Sequence, residues 1–186
     1  IKPLRGPVGY ISQSSQEAAS PILRYEGVPS MNAFIKFWTN GISLVRSAKI
    51  NILTKEKSKW MLTDDNACRY GPFDACILTM PFKQGEGLWV QHSKLPLPFV
   101  TDYPCWSVFL VTTSVPVYWP RAFVRDNTLS WYSSQIIHDN LQRWTIHASS
   151  TWSKTHFAAS SQDVEANILK ALQNIIGVNL NPIFIK

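Results

Sequence analysis

Residues 143–149 read Arg143-Trp144-Thr145-Ile146-His147-Ala148-Ser149, with apolar and polar side chains in alternation. Successive side chains of an extended chain point to opposite faces, so Trp144 and Ile146 share one face and Thr145 and His147 the other. Such a strand buries one face in a core and leaves the second to be assigned. Similar runs lie upstream at Cys105–Val117, Ala122–Arg125 and Leu129–Ser134, which predicts a group of strands. Downstream, Val164, Ile168, Leu172 and Ile175 or Ile176 recur at helical spacing. With Ser160 or Ser161 as a cap and Gly177 as a stop, they predict a helix over Gln162–Ile176. The tail Val178–Lys186 reads as extended.

The first half of the chain is less periodic. Residues 1–23 are rich in Ser, Gly, Pro and Gln and read as an irregular lead-in. A Gly/Pro turn at 27–29 and a capping Ser30 precede Phe34, Phe37 and Trp38, which predicts a helix over 31–40 ended by Gly41. Short β-like runs follow at Ser43–Arg46, Lys49–Thr54 and Lys59–Leu62. After a turn at Asp64-Asp65-Asn66 come a run at Ala67–Tyr70 and the apolar run Ala75–Met80, ending at Pro81. They read as a meander leading into a buried strand. No internal repeat, low-complexity tract or interdomain linker interrupts this α+β pattern.

Composition sets further bounds. The 186 residues are 45% hydrophobic, enough for one ordinary core. Residue 1 is Ile and carries no signal-peptide pattern ahead of it, so the sequence reads as a fragment or a processed chain. No apolar run approaches the roughly 18 residues of a membrane helix, which predicts a soluble protein and no membrane partner. Eighteen Lys and Arg against 12 Asp and Glu give +6, a bias toward anionic ligands without naming one. Lys49, Lys55, Lys57 and Lys59 form the densest basic group, on a hairpin where lysines protect a sheet edge. Cys68, Cys76 and Cys105 are odd in number and lack C-x-x-C spacing, so neither a disulfide framework nor a zinc site is indicated, and a reducing cytoplasm fits.

Self-contained catalytic motifs are missing from the sequence. There is no G-x-S-x-G, H-E-x-x-H or phosphate-binding G-K-S/T loop, and Gly85-Glu86-Gly87 lacks the third glycine of a dinucleotide fingerprint, so it reads as a loop. Asp64-Asp65 sits in a turn that explains it without acid/base work. The aromatic content, eight Trp, nine Phe and six Tyr, is the unusual feature. Trp106, Trp131, Trp144 and Trp152 have polar or small neighbours, which suits either packing or the walls around a planar ligand.

Five segments carry a resemblance: RYEGVPSMNAFIKFW (24–38), VRSAKINILTKEKSKWMLTDDNACRYGPFDACILTMP (45–81), DYPCWSVFLV (102–111), NTLSWYSS (127–134) and IHASSTWSKTHF (146–157). In order and spacing they resemble the renalase-like branch of the FAD-dependent amine oxidase superfamily, from about residue 22 to residue 177. The family pattern at the first motif is R-Y-V-G-x-P-G-M-N-A-L, so Ser30 stands where Gly is usual, which bears on the local turn. Members begin with a strand and G-x-G-x-x-G helix that hold the FAD pyrophosphate and end with a segment that returns to the flavin. By resemblance, the present sequence is the middle of such an enzyme, inactive alone.

The resemblance implies an antiparallel sheet with helices packed on one side, the substrate domain, together with a β-meander that belongs to the FAD domain. On that basis 1–186 is one fragment-like domain. Its lead-in is 1–23, its FAD-side helix and meander 24–81, and its substrate-binding sheet and helix 82–186. The implied cofactor is FAD, and the partners are a small amine or reduced nicotinamide-type substrate and the remainder of the FAD domain. Gly27, Met31, Ile50 and Pro81 are implied to border the cofactor, and Asn32, Trp106 and Trp131 the substrate, with no metal. His147 is implied as the catalytic position that orients substrate or tunes the flavin, although a strand His is commonly only solvent-facing. Trp152, in the W-S-x-x-H stretch with His156, reads as structural. The implied reaction is hydride transfer to flavin, with oxygen as final acceptor.

Two other functions remain open to the sequence. One is a non-enzymatic domain of the same ancestry that binds a partner or an aromatic ligand. The other is a basic nucleic-acid module, which needs Arg clustered with Tyr or Phe on one strand face; no such cluster is evident in the sequence, so no nucleic-acid partner is expected.

Overall fold

The computed structural model describes residues 2–3, 6–12, 14–20, 22–28, 30–92, 100–137 and 140–186. Pro29 of the first motif and residues 1, 4, 5, 13 and 21 of the expected lead-in lie outside them. The chain divides into two units, residues 1–31 with 102–186, and residues 32–101.

The first unit begins with β1 (Lys2–Pro3), β2 (Val8–Ser12), β3 (Gln16–Ala18) and β4 (Tyr25–Glu26). In the second unit follow α1 (Asn32–Trp38), β5 (Ile50–Glu56), β6 (Lys59–Asp64), β7 (Arg69–Phe73) and α2 (Phe82–Val90). The chain returns to the first unit with β8 (Ser107–Thr113), β9 (Arg121–Arg125), β10 (Leu129–Ile136), β11 (Leu141–Ala148), α3 (Ser150–Thr155), α4 (Ser161–Ile176) and β12 (Pro182–Ile185).

Seven strands of the first unit form one sheet in the order β12-β8-β11-β10-β9-β2-β3, while β1 and β4 pair separately. All neighbours in the large sheet are antiparallel except β2 and β9, so it is a mixed sheet rather than the antiparallel one expected. One face is the core. Val108, Leu110, Ala122, Val124, Leu129, Tyr132, Trp144 and Ile146 pack there with Val164, Ile168 and Leu172, the stripe of α4. Two of its polar groups are paired: the Trp144 Nε1–H donates to Thr112 Oγ1 at 3.0 Å, and the Tyr132 hydroxyl to the Trp119 carbonyl at 2.9 Å, whereas the buried Trp119 Nε1–H has no partner among the described residues. Burial pushes the Tyr132 phenol up to about 12, keeping it a neutral donor. Ser160 accepts the Asp163 N–H at 3.1 Å as the cap of α4, and Gly177 ends the helix at φ 69. Ser149 caps α3 in the same way through the Trp152 N–H.

Several expectations need correction. The lead-in contains β2, whose Val8, Gly9 and Ile11 are buried, and β3 beside it. Gly9 is what admits this strand, since a Cβ there would stand 2.6 Å from Cδ2 of the buried Trp119 ring. In the second unit, 43–46 and 75–80 are not strands, and Ile77 in the supposed buried run is 85% exposed. The Gly85-Glu86-Gly87 loop is the middle of α2: Gly85 is buried, and an added Cβ would crowd Met80 Sδ at 3.1 Å. Chain closeness therefore overrides the low helix propensity of two glycines.

The second unit holds an antiparallel three-stranded sheet, β5-β6-β7. A two-residue loop, Lys57 and Ser58, joins β5 to β6 with both residues at positive φ, the conformation that matches strand twist. The expected turn at 64–66 is organised by Asp64, whose carboxylate accepts the Tyr70 hydroxyl at 2.8 Å and the N–H groups of Asn66 and Cys68, both at 2.9 Å. The Tyr70 hydrogen bond, aided by those amides and opposed by burial, holds Asp64 below the usual carboxylate range. Leu53 and Leu88 are the buried aliphatic side chains among its described residues, and α1 buries none.

Two stability outcomes follow from these contacts. Gly9→Ala should cost about 1–3 kcal/mol, because a rigid indole must move, and chemical denaturation measures it. Asp64→Asn should destabilise the three-stranded unit at neutral pH. Because the folded pKa is depressed, that contribution is present above the ordinary aspartate value and lost as pH falls through the folded one. The melting difference between the two proteins should therefore shrink from about pH 4 downward.

Candidate functional site

With Trp144 and Ile146 facing α4, strand parity places Thr145 and His147 on the opposite, open face of the large sheet. The register then aligns a row across five strands. Tyr10 of β2 pairs with Phe123 of β9, Phe123 with Trp131 of β10, Trp131 with His147 of β11, and His147 with Ser107 of β8. The Tyr10 and Phe123 rings stack at 5.2 Å and 23°, and the Phe123 and Trp131 rings meet at 4.6 Å and 56°. Tyr10, Trp131 and His147 are each half-buried, Phe123 slightly more exposed. The result is an aromatic wall that ends in an imidazole.

Positive charge lies along this wall. The Arg24 guanidinium carbon is 6.0 Å from the Phe123 ring centre, and that of Arg125 is 5.7 Å from the Tyr10 ring centre. Arg24 is held by the carbonyls of Ser20 and Ile22, to which its Nη1 donates at 3.4 and 3.3 Å. In the next register row, Arg121 is buried and donates to Glu26 at 3.1 Å. Clustering of Arg with Tyr and Phe on one strand face, not evident in the sequence, is thus present in the fold.

The expected site residues separate. Trp131 and His147 are adjacent cross-strand neighbours on the open face. Trp106 precedes Ser107 and takes the other parity. It packs against the core, receives Ser153 Oγ as acceptor for its N–H at 3.0 Å and donates its Nε1–H to the His156 carbonyl at 3.1 Å. There it borders a cavity of about 630 Å³ with Val108, Val164, Glu165 and Lys186, on the α4 side of the sheet. Trp152 stacks on His156 at 4.0 Å and packs against the core.

Gly27 follows β4, and its N–H donates to Met31 Sδ at 3.3 Å. A Cβ on Gly27 would stand 2.4 Å from the Ser30 carbonyl oxygen, so the turn closes on itself and only glycine fits. The Met31 side chain is exposed. Within the second unit, Asn32 opens α1, Ile50 opens β5 half-buried and paired with Asp64, and Pro81 is the N-cap of α2. Among the described residues no three His, Cys, Asp or Glu side chains group as metal ligands. No helix among them is long and apolar enough to cross a membrane.

Sequence reasoning missed Tyr10, Phe123, Arg24 and Arg125. The alternation Arg121-Ala122-Phe123-Val124-Arg125 contains the signal for three of the open-face positions of β9, since Ala122 and Val124 face the core. Tyr10 and Arg24 join the wall only through pairing with residues more than a hundred positions away or near it.

No family model matches the chain. Among solved structures, putrescine oxidase bound to putrescine matches with a TM-score of 0.58 at 15% identity, covering 84% of this chain and 37% of that one. A variant of the same oxidase with redesigned cofactor binding matches at 0.59 and 15% identity, over 84% and 37%. A candidate protoporphyrinogen oxidase from Exiguobacterium sp. 255-15 matches at 0.59 and 13% identity, over 84% and 38%. This chain spans a little over a third of the length of these structures, and the likeness is one of fold: the mixed α+β architecture resembles part of an amine oxidase.

Proposed function

We propose that this chain is the portion of an FAD-dependent oxidoreductase, amine oxidase-like and of the renalase-like branch, that covers the flavin and supplies one wall of the substrate pocket. The observation that supports this reading is the open face of the large sheet, with Trp131 and His147 in register and its reverse packed on α4. A half-buried aromatic wall fits a cover for a flat ring. The start of α4 does not fit its pyrophosphate, because Ser160 and the Asp163 carboxylate occupy that first turn. Holding the dinucleotide is assigned to the remainder of the FAD domain, as the resemblance implies.

When bound, the flavin would accept a hydride from a carbon beside nitrogen. This chain's own residues orient and desolvate: the Trp131 ring excludes water from one side of the substrate, and His147 positions it through a ring nitrogen. Gly27 and Met31 are proposed to border the cofactor. Taken separately, Ile50 and Pro81 are proposed as nucleotide-bordering and Asn32 as substrate-facing. Trp106 is left out of the pocket wall, because it lies on the α4 side of the sheet.

In a protein that includes the dinucleotide-binding part, His147→Ala and Trp131→Ala should each slow flavin reduction on the order of a hundredfold, the cost of misplacing a reacting carbon by about 1 Å. Trp106→Ala should lower the melting temperature and leave the reduction rate of the folded fraction near that of the parent protein. Stopped-flow absorbance and thermal melts separate the two classes. Wild-type reduction rates in both open-face variants would reverse the assignment of working face and scaffold.

A further inference from the structure

The open face differs in charge from what a cationic amine requires. Arg24 and Arg125 lie over the faces of Phe123 and Tyr10, the ring surfaces on which an ammonium group would otherwise rest. Arg143 stands on the same face of β11 as His147, and donates to Gln135 at 2.7 Å. Among the described residues the ion pairs are Lys49–Asp65, Lys59–Asp74, Arg69–Glu56 and Arg121–Glu26, and none involves Arg24, Arg125 or Arg143. On the acidic side, Glu26 is matched by Arg121, and Glu17, opposite Tyr10 on β3, is the remaining carboxylate in the row. At the aromatic wall itself two guanidinium groups, those of Arg24 and Arg125, stand against one carboxylate.

We infer that the ligand of this face is a planar anion, an aromatic or conjugated molecule carrying a carboxylate or phosphate, rather than a simple cationic amine. The inference rests on the proposed reading of the open face as the substrate wall. The rings supply an apolar aromatic surface, and the two arginines, one at the end of β9 and one in the loop before β4, offer planar N–H forks to an acidic group at its margin. A single flat molecule fits better than a nucleic-acid strand. Tyr10 and Phe123 stack on each other at 5.2 Å, so part of their facing surfaces is taken up by that contact and they are not separate platforms for successive bases.

Calorimetric titration of the chain with 1-naphthoate, 1-naphthyl phosphate, 1-naphthylmethylammonium and a thymidine octanucleotide tests this. Both anions should bind about tenfold more tightly than the ammonium ion, a gap the size of two exposed charge contacts. Arg24→Gln with Arg125→Gln should abolish the gap, while Trp131→Ala should weaken every naphthalene probe. Whichever of the two anions binds more tightly identifies the acidic group. An ammonium ion bound as tightly as the anions, with binding still lost in Trp131→Ala, overturns the charge inference and leaves the site in place. Binding of no probe, or binding indifferent to Trp131→Ala, overturns both. An octanucleotide that binds more tightly than naphthyl phosphate overturns the small-ligand inference in favour of a nucleic-acid surface. Circular dichroism confirms folding of the variants, and the surface arginine changes keep the test open if Trp131→Ala does not fold.

Discussion

The packing of α4 against one face of the large sheet is the constraint on which the first unit depends. Val164, Ile168 and Leu172 lie along the helix at turn spacing, and Trp144, fully buried, is the largest side chain they help to enclose. Its Nε1–H needs an acceptor once water is gone, and Thr112 on β8 provides it. Because side chains alternate along a strand, burying Trp144 also decides where His147 goes. A one-residue slip in register would place the imidazole in the core and the indole in solvent. The composition of the open face is thus fixed by the scaffold behind it.

This coupling explains which parts of the molecule could be read from sequence. The β11 alternation and the α4 stripe with its Ser160 and Gly177 ends are local signals, and both elements form within a residue or two of expectation. β2 was not legible, because its admission to the sheet depends on Gly9 leaving room for Trp119, a residue far along the chain. α2 was hidden by two glycines, one of which is there for close contact with Met80. The apolar run at 75–80 has strand-like composition and no strand partner among the described residues.

The site divides along the same line. Trp131, His147 and Trp106 were implied together by the resemblance; a register shift between Leu129 and Trp131, not local alternation, puts Trp131 on the open face beside His147, whereas Trp106 falls one residue out of phase. Tyr10, Phe123, Arg24 and Arg125 converge on the open face from separate strands and a loop, so their common environment exists only after pairing. The turn at Gly27 shows the opposite case. Its requirement for glycine is entirely local, set by a carbonyl three residues on.

The central claim is that the open face, and not the α4 side, meets the cofactor and its substrate. A crystal structure of the flavin-loaded protein tests it most directly. The account expects the isoalloxazine ring and any bound ligand on the side of the sheet that carries Trp131 and His147, with the ligand within about 4 Å of one of those rings. A flavin lying against α4 or in the cavity beside Trp106, with solvent alone over Trp131 and His147, would contradict it.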